Sequence, residues 1–119
     1  LLSVRNSRDL KSHPLYGNIF ETFVISEFYK RICHIAEIPP LYFWRDKTGN
    51  EIDLVVDFGN KLYPVEIKAS RTYSASFKDN IVKWFELKGN TKAEGLILYN
   101  GESVMGSQSN LPTVPWWQL

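Results

Sequence analysis

Hydrophobic positions recur along this chain at two distinct periods. After Pro14, the residues Leu15, Tyr16, Ile19, Phe20, Phe23, Val24 and Phe28 follow in steps that match one face of a helix. Proline is well placed to open a helix, so the stretch predicts one from Leu15 to about Cys33, with Phe20, Phe23 and Val24 in the core. The apolar arc is wide, which places this helix inside the fold. "IPP" at 38–40 then breaks the chain. Beyond it the reading changes to strands. "LYFWRD" is one, "KTGN" turns into a second, "EIDLVVDF", and Gly59-Asn60 turns into a third, "KLYPVEIKA". Three consecutive, closely connected runs pair most simply as an antiparallel meander. Pro64 has no amide donor, which predicts an edge, a bulge or a strand beginning at that point.

Helical spacing returns at 74–88, "SASFKDNIVKWFELK", where Phe77, Ile81, Trp84, Phe85 and Leu87 form the apolar face. Ser74 or Ser76 is the expected N-cap and Gly89 the expected close. "AEGLILYN" is mostly apolar and reads as a fourth strand buried on both faces. After Gly101 the chain is rich in Ser, Gly, Asn and Pro and ends "TVPWWQL", a loop followed by a short final strand. The order α-β-β-β-α-β predicts an α/β fold, a small mixed sheet flanked by helices. Ile52, Leu54, Val65, Ile67, Leu96 and Leu98 are its expected buried layer. Residues 15–119 form the expected domain. The polar opening within 1–14 reads as a linker or the end of a preceding domain, as in a piece of a longer protein.

Composition narrows the class. The chain has 119 residues, 44% hydrophobic and 14% aromatic, enough for one real core. A lone cysteine, Cys33, excludes an internal disulfide framework, and no Cys/His cluster is spaced for structural zinc. That suits the cytoplasm. No apolar run approaches the roughly 20 residues of a membrane span, and no signal pattern opens the chain, so no membrane partner is expected. There is no P-loop, and no serine or cysteine nucleophile has a histidine partner in a recognisable arrangement. His13 and His34 have no partners at ligand spacing, and surface roles are expected for both.

Net charge is only +1, but its distribution is uneven. From Leu41 to Glu66, Arg45, Lys47 and Lys61 stand against Asp46, Glu51, Asp53, Asp57 and Glu66. From Lys68 to Lys92 the balance reverses, with Lys68, Arg71, Lys78, Lys83, Lys88 and Lys92 against Asp79 and Glu86. Two solvated faces would give this pattern, and so would a metal site beside a polyanion. Alternation within the strands bears on the choice. Residues two apart share a face, so Glu66 and Lys68 lie together, as do Glu51 and Asp53. If the two strands are neighbours and their polar faces coincide, Asp53, Glu66 and Lys68 converge. Hard carboxylate donors that leave waters in place suit Mg²⁺ or Mn²⁺, and a lysine beside them holds phosphate or orients water as a point charge. Glu51 is either a second ligand or the exposed start of a strand. A strand Glu-x-Lys taken alone is most often a solvated face. Trp84, Trp116 and Trp117 suit core or edge packing first, and base stacking second.

Asp53, twelve residues, then Glu66-Ile67-Lys68, after a helix bearing Glu21, resembles the PD-(D/E)xK nuclease superfamily. More narrowly, "GNIFETFVISEFYK", "LYFWRDKTGNEIDLVV", "YPVEIKAS" and "LILYNGE" resemble the C-terminal domain of unknown function carried by prokaryotic AAA+-type ATPases. The resemblance runs from about Leu15 to the C-terminus. It implies a restriction-endonuclease-like fold, a metal held by Asp53 and Glu66, Lys68 as catalytic lysine and Glu21 as a supporting acid. It also implies an ATPase domain of the same polypeptide, N-terminal to this one, as a partner. Glu27 competes with Glu21 for the last role, but Arg31 four residues on offers Glu27 a simple salt bridge. Two departures stand out. Ile52 replaces the proline before Asp53, and the second helix carries no glutamine. The functional expectation is a metal-dependent nuclease acting on DNA or RNA, with Lys78 and Lys83 on backbone phosphate. The alternative is a nuclease-fold module that binds nucleic acid or protein without cutting.

Overall fold

A computed structural model of the protein describes residues 15–34, 41–59, 61–87 and 93–119. The expectations for residues 1–14, the break at 38–40, Asn60 and Gly89 lie outside the described residues. Helix α1 runs Tyr16–Cys33, followed by strands β1 (Leu41–Arg45), β2 (Glu51–Asp57) and β3 (Leu62–Lys68). A 3-10 turn, Ala75–Lys78, leads into helix α2 (Asp79–Leu87), then β4 (Leu96–Tyr99), β5 (Thr113–Pro115) and a closing 3-10 turn, Trp116–Gln118. The five strands lie in the sheet in chain order. β1, β2 and β3 form the antiparallel meander, while β3–β4 and β4–β5 are parallel. The parallel step from β3 to β4 is the one that needs a long crossover, and the 3-10 turn and α2 supply it.

The sheet separates two apolar layers, which makes a three-layer α/β/α arrangement. On one face Phe20 and Val24 of α1 pack with Leu54, Val56, Val65, Ile67 and Leu98. Tyr16, Phe28 and Ile32 extend the α1 stripe at four-residue steps, the spacing that keeps one helix face on the sheet. On the other face Phe77, Ile81, Trp84 and Phe85 pack with Ile52, Val55, Ile97 and Tyr99. β4 is covered on both faces, as its unbroken apolar run predicts, with Leu96 half-buried and the next three residues buried.

Five details differ from expectation. Leu87, expected on the apolar face of the second helix, is exposed. Phe23 is 47% exposed rather than buried, because it lies off the four-residue stripe, and its ring stands edge-on to Trp116 at 5.0 Å. The second helical stretch opens as a 3-10 turn, capped by Ser74, whose side chain accepts from the Ser76 amide. Pro64 lies within the central strand of the sheet, one residue before the β4 ladder begins at Val65. Its missing donor therefore falls outside that ladder. Finally, Ile52 does not share a layer with Leu54 and Val56. β1 pairs Tyr42 with Val55 but Trp44 with Ile52, so Phe43 alone faces both Asp53 and Leu54. This bulge adds one residue to β2 and turns Ile52 to the α2 side.

Leu54, 2% exposed, is central to the α1-side layer. Leu54→Ala is expected to cost about 2–5 kcal/mol in urea unfolding, whereas Phe23→Ala, at the half-exposed ring pair, should cost about 1 kcal/mol. Equal losses would contradict this packing.

Candidate functional site

The β2–β3 ladder runs from Asp57 and Leu62 up to Leu54 and Val65, and its regular pairing stops there. At the next position two side chains take over from the backbone. The Asp53 amide donates to Glu66 Oε1 at 3.1 Å, and the Ile67 amide donates to Asp53 Oδ2 at 2.8 Å. Each carboxylate thus binds an amide of the opposite strand, and the pair crosses the gap where the strands part. This is also the position of the β1–β2 bulge, so β2 is released from both neighbours at Asp53. Lys68 Nζ lies 3.4 Å from Glu66 Oε2. The sequence expectation that Asp53, Glu66 and Lys68 gather at one place agrees with these distances, although they meet across a splayed junction and not on one flat polar face.

Glu21 reaches the same point from α1. Its carboxyl shares a hydrogen bond with Asp53. Glu27, the competing acid, is engaged elsewhere, with its partner Lys30 at 3.2 Å and not Arg31. Glu51 is exposed and pairs with Arg45 at 2.9 Å, which makes it the solvated start of a strand. A cavity of about 250 Å³ opens on Glu21 and Asp53, lined also by Phe43, Trp44, Arg45 and Glu51 among others, while Glu66 and Lys68 lie outside its lining. Lys78 and Lys83 are exposed and line no cavity with the carboxylates. Lys78 sits in the 3-10 turn beside a cavity of about 410 Å³ under α2.

The electrostatics follow from burial. Glu66 is 1% exposed, and desolvation, then repulsion from Asp53, pushes its carboxyl up to about 7 despite the Asp53 amide and Lys68. Glu21 is pushed up to about 7 by desolvation, by Asp53 and by its hydrogen bond to Asp53. Asp53 is raised chiefly by burial, with the Ile67 amide and Lys68 opposing. Three carboxyls thus face one another with one ammonium among them.

That donor set suits a hard divalent cation, since carboxylate oxygens retain lone pairs after one hydrogen bond each. No group of three or more Asp, Glu, His and Cys side chains among the described residues is already arranged around an ion position. Mg²⁺ commonly binds through one or two carboxylates and keeps several waters, which is the fit that Asp53 and Glu66 offer. Sequence reasoning located these residues by their two-residue alternation. It did not find the exposed ring of Phe43, which lines the cavity only because the bulge sets it opposite Asp53. The signal available was an aromatic two positions from the strand's end, which is too common to select.

A raised carboxyl binds its proton in the native state over a range where the unfolded chain has lost it, so stability falls as pH rises through that range. For Glu66 and Glu21 the window runs from the ordinary 4.5 to about 7. In EDTA, the melting temperature is expected to fall between those limits. Glu66→Gln, which keeps an acceptor for the Asp53 amide, should flatten the fall and raise stability above pH 7. An unchanged profile in the variant would contradict the burial of this charge.

Comparison with known proteins gives a family. The family described as Domain of unknown function (DUF4143) matches residues 16–119. Uncharacterized proteins of Mycobacterium bovis and Mycobacterium tuberculosis are each 32% identical over 76 residues, 64% of this chain. That stretch spans only 16% of the length of either relative. No solved structure matches the chain. No described helix is long and apolar enough to cross a membrane. With nearly all of the folded region matched, the chain belongs to the DUF4143 family.

Proposed function

We propose that this domain is a metal-dependent phosphodiesterase of the PD-(D/E)xK type, cutting DNA or RNA. The observation that carries the reading is the crossing of Asp53 and Glu66 at the β2–β3 junction, with Lys68 3.4 Å from Glu66. Asp53 and Glu66 would hold Mg²⁺ or Mn²⁺. Such an ion, when bound, lowers the pKa of water and offsets charge on a phosphoryl oxygen. The chain's own groups do the rest. Lys68 supplies a point charge for a phosphate oxygen or for orienting the attacking water. Glu21 shares a proton with Asp53 and so governs how much negative charge the pair carries. The amides of Asp53 and Ile67 fix the two carboxylates so that they need not reorganise. Lys78 and Lys83, exposed on the α2 side, would contact backbone phosphate of a longer substrate.

The same reading makes the domain the C-terminal part of a larger cytoplasmic AAA+-type ATPase. The quoted sequence likeness supports this, as does the small share of the mycobacterial relatives that the matched stretch covers. A module that keeps this fold without cutting is the second reading, favoured by one observation. The Asp53–Glu66 crossing also closes a gap in the sheet, which is a structural use that needs no ion.

Mg²⁺ or Mn²⁺ is expected to support cleavage of DNA or RNA and EDTA to stop it. Asp53→Asn and Lys68→Ala should each reduce cutting at least about 100-fold, as the loss of one charge-stabilising group does elsewhere, while circular dichroism shows the fold retained. Calorimetry should register metal uptake by the wild type and its loss in Asp53→Asn. Neutralising Lys78 and Lys83 should weaken binding and lower its salt dependence. Metal uptake without any cleavage would favour the module; neither uptake nor cleavage would end the hydrolytic reading.

A further inference from the structure

The three parallel strands all end at one cavity, of about 490 Å³. Arg71 follows β3, Asn100 to Ser103 follow β4, and Trp117 follows β5, and all of these line it. In open sheets, ligands bind beyond the carboxyl ends of parallel strands. Lys68, the last residue of β3, is paired with Tyr99, the last of β4, and the Asn100 amide donates to the Ser70 carbonyl at 3.1 Å. The cavity therefore begins directly beyond the lysine of the candidate site. Two residues, Ala69 and Ser70, separate Lys68 from Arg71, and the three chain steps reach at most about 11 Å.

Its two main groups are Arg71 and Trp117. Arg71 is exposed and makes no ion pair or hydrogen bond among the described residues. Trp117 is 50% exposed and makes no ring contact among them. Its neighbour differs, since Trp116 is half-buried and stands edge-on to Phe20 and Phe23. The Trp117 ring is nonetheless tethered. Its Nε1 donates to the Gly101 carbonyl at 3.3 Å, and Gly101 is itself held against the Tyr99 ring, where a Cβ would collide. A tethered indole with an open face beside a free guanidinium is suited to a base and its phosphate. In a duplex both faces of a base are covered by its neighbours, so the open indole selects an unpaired base.

We propose that this cavity is a subsite for single-stranded nucleic acid, with a base stacked on Trp117 and a backbone phosphate on Arg71. It leads a strand towards Lys68, and as a substrate track it rests on the hydrolytic reading above. The subsite itself needs no metal. Glu102, the acid in the lining, opposes a phosphate and weakens the strand's hold.

The test is fluorescence anisotropy of a labelled oligodeoxythymidine in EDTA, where no cleavage occurs. Trp117→Ala should weaken binding roughly 5- to 100-fold, the range for loss of one stacked base, and leave the salt slope unchanged. Trp117→Phe should restore most of the affinity. Arg71→Gln should lower the slope of log K against log salt by about 0.7, one single-strand phosphate contact. Glu102→Gln should tighten binding, and a blunt duplex of equal length should bind more weakly than the single strand and be insensitive to Trp117→Ala. The proposal is overturned if the wild type does not bind the oligonucleotide, or if Trp117→Ala and Arg71→Gln, folded by circular dichroism, both bind as the wild type does. The two readings separate cleanly. Cleavage under Mg²⁺ with wild-type affinity in both Trp117→Ala and Arg71→Gln would sink the subsite and leave the hydrolysis. Binding through Arg71 and Trp117 with no cleavage under any divalent metal would leave the subsite and sink the hydrolysis.

Discussion

Where the backbone ladder of β2 and β3 gives out beyond Leu54 and Val65, the Asp53 and Glu66 carboxylates each accept an amide from the opposite strand. A buried carboxylate is costly unless hydrogen-bonded or paired, and a buried amide is costly unless it donates. The crossing answers both demands with one pair of side chains. It also holds the strands together at the point where they separate, which lets the sheet open without losing its register. Lys68 supplies the partner charge from the end of the same strand. Burial and mutual repulsion still leave Glu66 and Glu21 raised to about 7, so Lys68 and the amides offset only part of the cost of charging them.

The bulge opposite Phe43 extends this constraint through the sheet. One added residue in β2 sends Ile52 to the α2 layer while Leu54 and Val56 stay with α1. Without it, Asp53 would fall on the same side as Val55, away from α1. With it, Asp53 meets Glu21, whose helix is fixed by the four-residue stripe from Tyr16 to Ile32. The acidic centre thus depends on two irregularities at one position, the bulge towards β1 and the splay from β3.

The change of strand direction at β3 divides the remaining chemistry. Antiparallel pairing on one side builds the acidic cavity, and parallel pairing on the other brings the ends of β3, β4 and β5 to a common edge. Lys68 stands between them, ion-paired with Glu66 and in ladder register with Tyr99, which lines the second cavity. The basic run that begins at Lys68 is divided correspondingly, with Arg71 entering the cavity at that edge and Lys78 and Lys83 carried to the α2 side by the crossover.

The sequence by itself determined the elements and their order. Helical spacing after Pro14, alternation in 51–56 and the apolar run at 96–99 are local periodicities, and local periodicity reports which face of each element seeks burial. It also singled out Asp53, Glu66 and Lys68, because charges inside otherwise apolar strands need a reason. Tertiary structure decided what periodicity cannot carry. A bulge is a mismatch between two strands, so the side taken by Ile52 and Asp53 was invisible in β2 alone. Phe23 fitted the helical arc yet lies half outside it, since the width of a buried stripe is set by the sheet beneath. Glu21 and Glu27 were told apart by which acid the sheet's opening faces. Trp84 is buried because α2 lies over the sheet, while the fates of Trp116 and Trp117, edge-packed and open, depended on where three parallel strands end, a fact of pairing between segments far apart in the chain.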